Sequence, residues 1–318
     1  MPMSKSARAP GNAPILITMG EPAGIGPEIV LRAFAELGGR IGTRPLKLVG
    51  DPEMFPGAPP DSIIATRAKG KAAPGKPDPL NAPAVLEAIE MAVTACMTGE
   101  AAGMVTAPIH KAVLAAAGFP YPGHTEYLAH LTGAKRAVMM LAGPLLRVVP
   151  LTIHMPLAKV PAAISTDAIV ETAVIMLEAL RRDFGVARPR LAVAGLNPHA
   201  GEDNVLGPED AALIAPAIAA LKAQGHDVFG PASADTLFHE EARAKYDAAL
   251  CMYHDQALIP IKTLSFWEGV NVTLGLPILR TSPDHGTAFD IAGTGKADHR
   301  SMVAAIRMAA DMADARFK

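Results

Sequence analysis

Apolar and polar residues alternate along this chain in blocks. Short runs of mostly β-branched and other apolar residues fall at 15–18, 45–49, 103–106, 146–153, 191–195, 248–252 and 271–274. Between them lie longer, Ala-rich stretches with apolar residues on one face, at 84–98, 167–183, 208–223 and 302–312. The first set has the length of strands, the second the length and period of helices. Pro83, just ahead of one helix, suits a first turn whose N–H groups have no partner in any case. Strand and helix taking turns predicts an α/β fold built round a largely parallel sheet. No internal repeat is visible. Residues 51–79 are rich in Pro, Gly and Lys and read as a surface excursion, the best candidate for disorder.

Composition narrows the class. The chain has 318 residues, half of them apolar, enough for one large domain or two ordinary ones. With 29 basic against 31 acidic residues the formal charge is -2, which argues against a nucleic-acid partner. Any phosphate recognised here must meet a local cluster of cations. Cys96 and Cys251 lie far apart, read as buried small apolar groups, and point to a reducing, cytoplasmic setting. The longest apolar stretches, 137–146 and 211–221, fall short of the ~20 residues that cross a bilayer. Residues 1–13 carry charge, Pro and Gly without an apolar run, so a loose N-terminal tail is expected and no membrane attachment.

The polar islands follow the predicted strands directly: "MGEPAGIGPE", "TAPIHK", "TIHMP", "GLNPHAGE", "MYHDQ" and "RTSPDHGTAFDIAG". In open α/β sheets ligands bind at the carboxyl ends of strands, so this distribution is that of a site. The first island raises the question of a dinucleotide. Gly24-x-Gly26 follows a strand and opens a helix, but Ile29 stands where a Rossmann turn needs its third glycine. Pro27 also removes one donor that would face a pyrophosphate. A tight strand–helix turn fits better locally, and a loop serving a cofactor held from elsewhere remains open.

Of ten histidines, His130, His226, His239 and His299 read as surface residues. His154, His199 and His254 each come directly after an apolar run. Spacing leaves two readings open: hydrogen-bonded turn residues, or three imidazoles converging on a borderline divalent ion. Asp235, in "SADT", and Asp255 could serve as additional ligands or as partners of ligands.

The tail block, His285 to Gly293, resembles the adenosine-binding loop of isocitrate and isopropylmalate dehydrogenases, which share a Gly-Ile-Gly-Pro-Glu-like opening turn. A narrower resemblance runs from residue 15 to the final helix. It rests on "GEPAGIGPE", "TAPIHK", "GHTEYLA", "GLNPHAGE", "GPASADTLF", "YHDQALIPIK" and "NVTLGLPILRTSPDHGTAFDIAGTGKAD". By these seven ordered blocks the chain is similar to the 4-hydroxythreonine-4-phosphate dehydrogenase family of pyridoxal phosphate biosynthesis. The resemblance implies a two-domain α/β/α fold with a non-Rossmann NAD site in the cleft. The expected division is 14–120 plus 275–318 for the NAD-binding domain, and 121–274 for metal, substrate and dimerisation.

Residue by residue, the resemblance makes His154, His199 and His254 ligands of a divalent metal (zinc, magnesium or cobalt). It makes His124, Thr125, Lys262, Asn271 and Arg280 substrate contacts. Read without it, Lys262 would pass for a solvated charge and Arg280 for a structural ion pair. NAD would meet His285, Gly286, Thr287, Ala288, Asp290, Gly24 and Gly26, with the Asp290 carboxylate suiting a ribose hydroxyl and repelling a 2′-phosphate. Asp255, Asp235 and Lys262 are candidates for the catalytic base, unranked. The implied reaction is NAD-dependent oxidation of 4-phosphooxy-L-threonine with decarboxylation to 3-amino-2-oxopropyl phosphate, in a homodimer whose metal site draws on both subunits. Alternatives are a relative acting on threonate or erythronate 4-phosphate or a dihydrodiol carboxylate, and, more remotely, a metal-dependent phosphohydrolase.

Overall fold

A computed structural model describes residues 11–71 and 73–318. The first ten residues of the expected tail lie outside the described residues. Strands β1 (Ile15–Thr18), β2 (Arg40–Ile41), β3 (Arg44–Gly50), β4 (Ile63–Ala65) and β5 (Gly103–Thr106) come first. Then follow β6 (Val138–Ala142), β7 (Arg147–Thr152), β8 (Arg190–Ala194), β9 (Asp227–Ala232) and β10 (Ala248–Tyr253). Strands β11 (Val270–Leu274) and β12 (Arg280–Pro283) close the set. The chain divides into two compact units, residues 1–137 with 270–318, and residues 138–269.

In the first unit the strand order is β2-β3-β1-β5-β12-β11, with β4 also on β3. Pairing is parallel for β1 with β3 and β5, for β5 with β12 and for β3 with β4, and antiparallel for β2–β3 and β11–β12. All four residues of β1 and of β5 are buried, as expected for central parallel strands covered on both faces. Helix α1 (Gly26–Glu36) and the final helix Arg300–Phe317 pack together, and the latter lies on β5 and β12. That contact ties the last forty-odd residues (270–318) back to the N-terminal half. The second unit is β6-β7-β10-β8-β9, parallel except for β6–β7, with helices Thr166–Arg182 and His254–Leu264 among its cover.

The expected largely parallel α/β organisation is present, with four local corrections. Helix α2 (Ala82–Thr98) packs on α4 (His124–Thr132), and β11 pairs with β12, so 121–137 and 270–274 belong to the first unit. The expected helix over 208–223 is a π-helical turn, Asp210–Ile214, leading into an α-helix, Ala215–Ala223. Pro216 explains it, because a residue without an N–H cannot close the α register there.

The segment 51–79 is not a disordered excursion. Asp51 is fully buried and caps the next turn, accepting from Glu53 N, from Gly70 N and from Lys69 Nζ. Met54 and Phe55 are buried, and Ile63–Ala65 adds a strand to β3. Residues 79–98 also hold an apolar stretch that the sequence reading passed over. By length and hydropathy it is a candidate to cross a membrane, with half of it buried. Its Ala84, Val85, Ala88, Ile89, Ala92 and Val93 are buried, and the helix packs on β1, β3 and β5, the position of a core helix.

Phe55 is 1 % exposed and is the anchor of this strap. Phe55→Ala is expected to cost about 3–5 kcal/mol in chemical denaturation and to open 51–79 to proteolysis. Unchanged stability and protection would contradict the anchoring.

Candidate functional site

Arg280 opens β12 and is 4 % exposed. Its Nε and Nη2 donate to Thr106 Oγ1 at 3.1 and 2.7 Å, and Nη1 donates to Thr273 Oγ1 at 2.9 Å. The two hydroxyls fix the plane of the guanidinium without neutralising it. Among the described residues no carboxylate lies within ion-pair distance, and burial pulls its pKa down to about 10. The structural ion pair that Arg280 could make on sequence grounds alone is not present among the described residues. A buried charge with no partner is costly unless something supplies the counter-charge.

His124 begins α4 beside this charge. Its Nε2 is shielded from solvent and has no hydrogen-bond partner. Burial, then the positive charges of Arg280 and Lys111, hold its pKa well below the ordinary imidazole range. The ring is therefore neutral near pH 7, with one nitrogen free for a ligand. Thr125 follows in the first helical turn, and Asn271 in β11 has a buried, unpartnered Oδ1. His124 and Arg280 thus come together as the resemblance implied. Lys111, Thr106 and Thr273 join them and were not singled out in the sequence. The signal for Lys111 was available, since it ends "TAPIHK" just beyond β5.

The opening glycines have a steric task. A Cβ on Gly24 would lie 2.9 Å from both Cβ and O of Thr287, and one on Gly26 would lie 2.7 Å from Met19 O. Ile25 N donates to Thr287 O at 2.9 Å. The turn is therefore clamped onto the tail loop, and Ile29 is buried in α1. The tail loop presents exposed His285, Gly286 and Asp290, and holds Ala288 in the left-handed region at φ 41°. Nothing lies within 4 Å of a Cβ built on Gly286, so the backbone there is open to a ligand. Left-handed strain at a non-glycine residue is a mark of functional loops.

Beneath the turn, Glu21 is fully buried. One carboxylate oxygen accepts from Ala23 N and Asn81 Nδ2, the other has no partner, and burial pushes the carboxyl above its usual range.

The second unit holds the three histidines in two places. His154 and His254 follow β7 and β10, with ring centroids 5.7 Å apart, on a cavity of about 330 Å³ that Met155, Leu157, Val160 and Tyr253 also line. Asp255 Oδ1 lies 2.7 Å from His254 Nδ1. A proton on Nδ1 there leaves Nε2 as a lone pair. Lys262 stands two turns further along the same helix face as Asp255. His199 sits after β8 with φ 51°, in a loop held by the buried Asp210, which accepts from Leu196 N and from the backbone and side chain of Asn197. Asp235 lies close enough for the His199 charge to help lower its pKa, after the Ser233 hydroxyl. Among the described residues no three His, Cys, Asp or Glu meet to hold a metal within this single chain. Cys96 and Cys251 are buried, free, and have raised pKa values, so neither is an activated thiol.

A two-unit α/β protein with an unneutralised cationic pocket is the class defined by this fold and site. The chain belongs to the family described as pyridoxal phosphate biosynthetic protein PdxA, whose model matches residues 41–309. It is 54% identical over 320 residues to a 4-hydroxythreonine-4-phosphate dehydrogenase of Paracoccus denitrificans, covering 94% of this chain and 98% of that one. The crystal structure of a 4-hydroxythreonine-4-phosphate dehydrogenase from Klebsiella pneumoniae is similar with a TM-score of 0.85 at 37% identity, covering 95% and 99%. A terephthalate 1,2-cis-dihydrodiol dehydrogenase from Burkholderia xenovorans is similar with a TM-score of 0.67 at 28% identity, covering 94% and 98%.

Glu21 yields a pH-dependent expectation. In the unfolded chain its carboxyl ionises near 4.5, and in the folded chain at higher pH, so the native state loses stability as pH rises through that interval. Glu21→Gln is therefore expected to raise Tm at pH 7–8, with the difference from the parent closing below about pH 4. An equal Tm at both ends of the range would contradict it.

Proposed function

We propose that this chain oxidises 4-phosphooxy-L-threonine with NAD and a divalent metal, releasing CO₂ and 3-amino-2-oxopropyl phosphate. The observation that carries the reading is the buried, unneutralised Arg280 beside the unpartnered His124, in a chain 54% identical to a dehydrogenase named for a phosphorylated hydroxy acid. Arg280, His124, Thr125 and Asn271 bind and orient the anionic substrate. Arg280 offers forked donors of fixed plane, suited to a carboxylate or phosphate.

His154, His199 and His254 fit a divalent ion in donor type, and Asp255 orients His254 with a lone pair free. The ion would serve as Lewis acid toward the substrate oxygen. Among the described residues the three histidines do not form a metal-holding group within one chain, which fits a site completed by a second copy. Exposed large apolar side chains support a homodimer: of those among the described residues, all but Leu80 lie in the second unit, including Leu157, Val205, Ile259 and Phe266 at 63% or more. Asp255, Asp235 and Lys262 remain the candidate bases; Asp255 is engaged with His254 and Asp235 with the Ser233 hydroxyl.

The tail loop, with Gly286 open and Asp290 exposed, suits the adenosine end of NAD, and Gly24 and Gly26 seat that loop. A reducing, cytoplasmic setting fits the two free cysteines. A second reading, a dihydrodiol carboxylate as substrate, has the Burkholderia relative in its favour, at 28% identity.

The test is absorbance at the NADH band with 4-phosphooxy-threonine, NAD and Zn²⁺ or Mg²⁺, before and after chelation. A rise that chelator abolishes and metal restores is expected. No rise with this substrate, and a rise with a dihydrodiol carboxylate, would overturn the assignment.

A further inference from the structure

We propose that Lys111 is the second cation of the anion pocket, and that this pair of charges selects the dianion of a phosphate monoester over a carboxylate. The inference rests on the functional reading above and adds to it a residue and the identity of the anion.

The geometry starts at Gly123. Its backbone is extended, at φ 177°, which any residue adopts, so conformational freedom does not require glycine there. A Cβ on Gly123 would lie 3.2 Å from Lys111 Cε and 3.7 Å from its Nζ, a contact that a small shift of the lysine stem would relieve. The lysine stem therefore crosses the chain immediately ahead of His124. Lys111 is the first residue of α3 (Lys111–Ala116), whose cap, His110, accepts from Val113 N through Nδ1. A cation in a first helical turn is opposed by the helix dipole, so Lys111 does nothing for the stability of α3. Among the described residues no carboxylate lies within ion-pair distance of it, although Glu126 Oε2 stands nearby, 3.7 Å from the same Cβ position as Lys111 Nζ.

Arg280 and Lys111 thus face one neutral imidazole whose Nε2 is unpartnered. Arg280 alone balances a carboxylate. A phosphate monoester carries about -1.5 to -2 charges near pH 7, and two cations are needed to balance it. Arg280 is buried and fixed by two threonines, so it sets position. Lys111 is an exposed residue on a flexible stem, and supplies charge without demanding geometry.

The experiment is calorimetric titration of inorganic phosphate, and separately of acetate, into the full chain and its variants Lys111→Met, Lys111→Gln, Lys111→Arg and Arg280→Met. Lys111→Met and Lys111→Gln should keep or raise the parent's Tm. Both should bind phosphate about ten-fold or more weakly, with acetate affinity little changed and most of the phosphate affinity restored in Lys111→Arg. KM for 4-phosphooxy-threonine should rise in parallel. If phosphate affinity is unchanged in the Met and Gln variants but lost in Arg280→Met, the role given to Lys111 is wrong and the pocket itself stands. If phosphate binds neither the parent nor any variant, the pocket assignment under the proposed function falls with it.

Discussion

Arg280 is the constraint around which the first unit is organised. Its guanidinium sits inside the sheet, held in plane by Thr106 at the end of β5 and Thr273 at the end of β11, with no negative charge to meet it. Such an arrangement sacrifices stability in the free protein, because two hydroxyls do not replace the lost hydration of a cation. The neighbouring groups repeat the pattern: His124 with an unpartnered nitrogen, Asn271 with an unpartnered oxygen. Three under-satisfied polar groups in one unit would be a defect in a structural core. They form a coherent set if a polar, anionic ligand completes them.

The second unit shows a different economy. There the histidines are positioned by backbone strain and by carboxylates. His154 and His199 both adopt left-handed conformations, at φ 49° and 51°, a region that few residues besides Gly enter, Asn, Asp and His more often than the rest. Asp210 holds the loop before His199 from below, and Gly195 and Gly201 let it approach, since a Cβ on either would lie within 3.5 Å of its side chain. The His154 and His254 rings lie 5.7 Å apart, and His199 lies close enough to Asp235 to influence its carboxyl. Exposed apolar side chains, Leu157 near the first pair and Val205 and Leu206 near the second, mark surfaces that a second copy would cover.

Much of the frame was legible in the sequence, because parallel strands buried on both faces read as nearly unbroken apolar runs, as β1, β5, β8 and β10 do, while β3 carries Lys47 within its run. The polar islands after those strands located the histidines and the glycine turn. What failed to show follows from physics that period and composition do not encode. The strap over 51–79 looked loose by its Pro and Gly content, yet Asp51 and Phe55 hold it through contacts that depend on tertiary placement. The break at Asp210–Ile214 came from one proline inside an otherwise good helix pattern. Lys111 has a signal in its place just beyond β5, but its approach to Gly123 depends on tertiary placement and shows in neither residue alone. That the three histidines do not form one metal-holding group among the described residues could not come from spacing, because sequence spacing does not fix distance between loops of different strands.

The account stands most directly on one comparison, the thermal stability of Arg280→Met against the parent, with and without inorganic phosphate. If Arg280 is a buried charge held for a ligand, the methionine, similar in length and apolar, raises Tm of the ligand-free chain, and added phosphate no longer stabilises it. A fall in Tm accompanied by undiminished stabilisation by phosphate would show that Arg280 is a structural element and that the anion binds elsewhere.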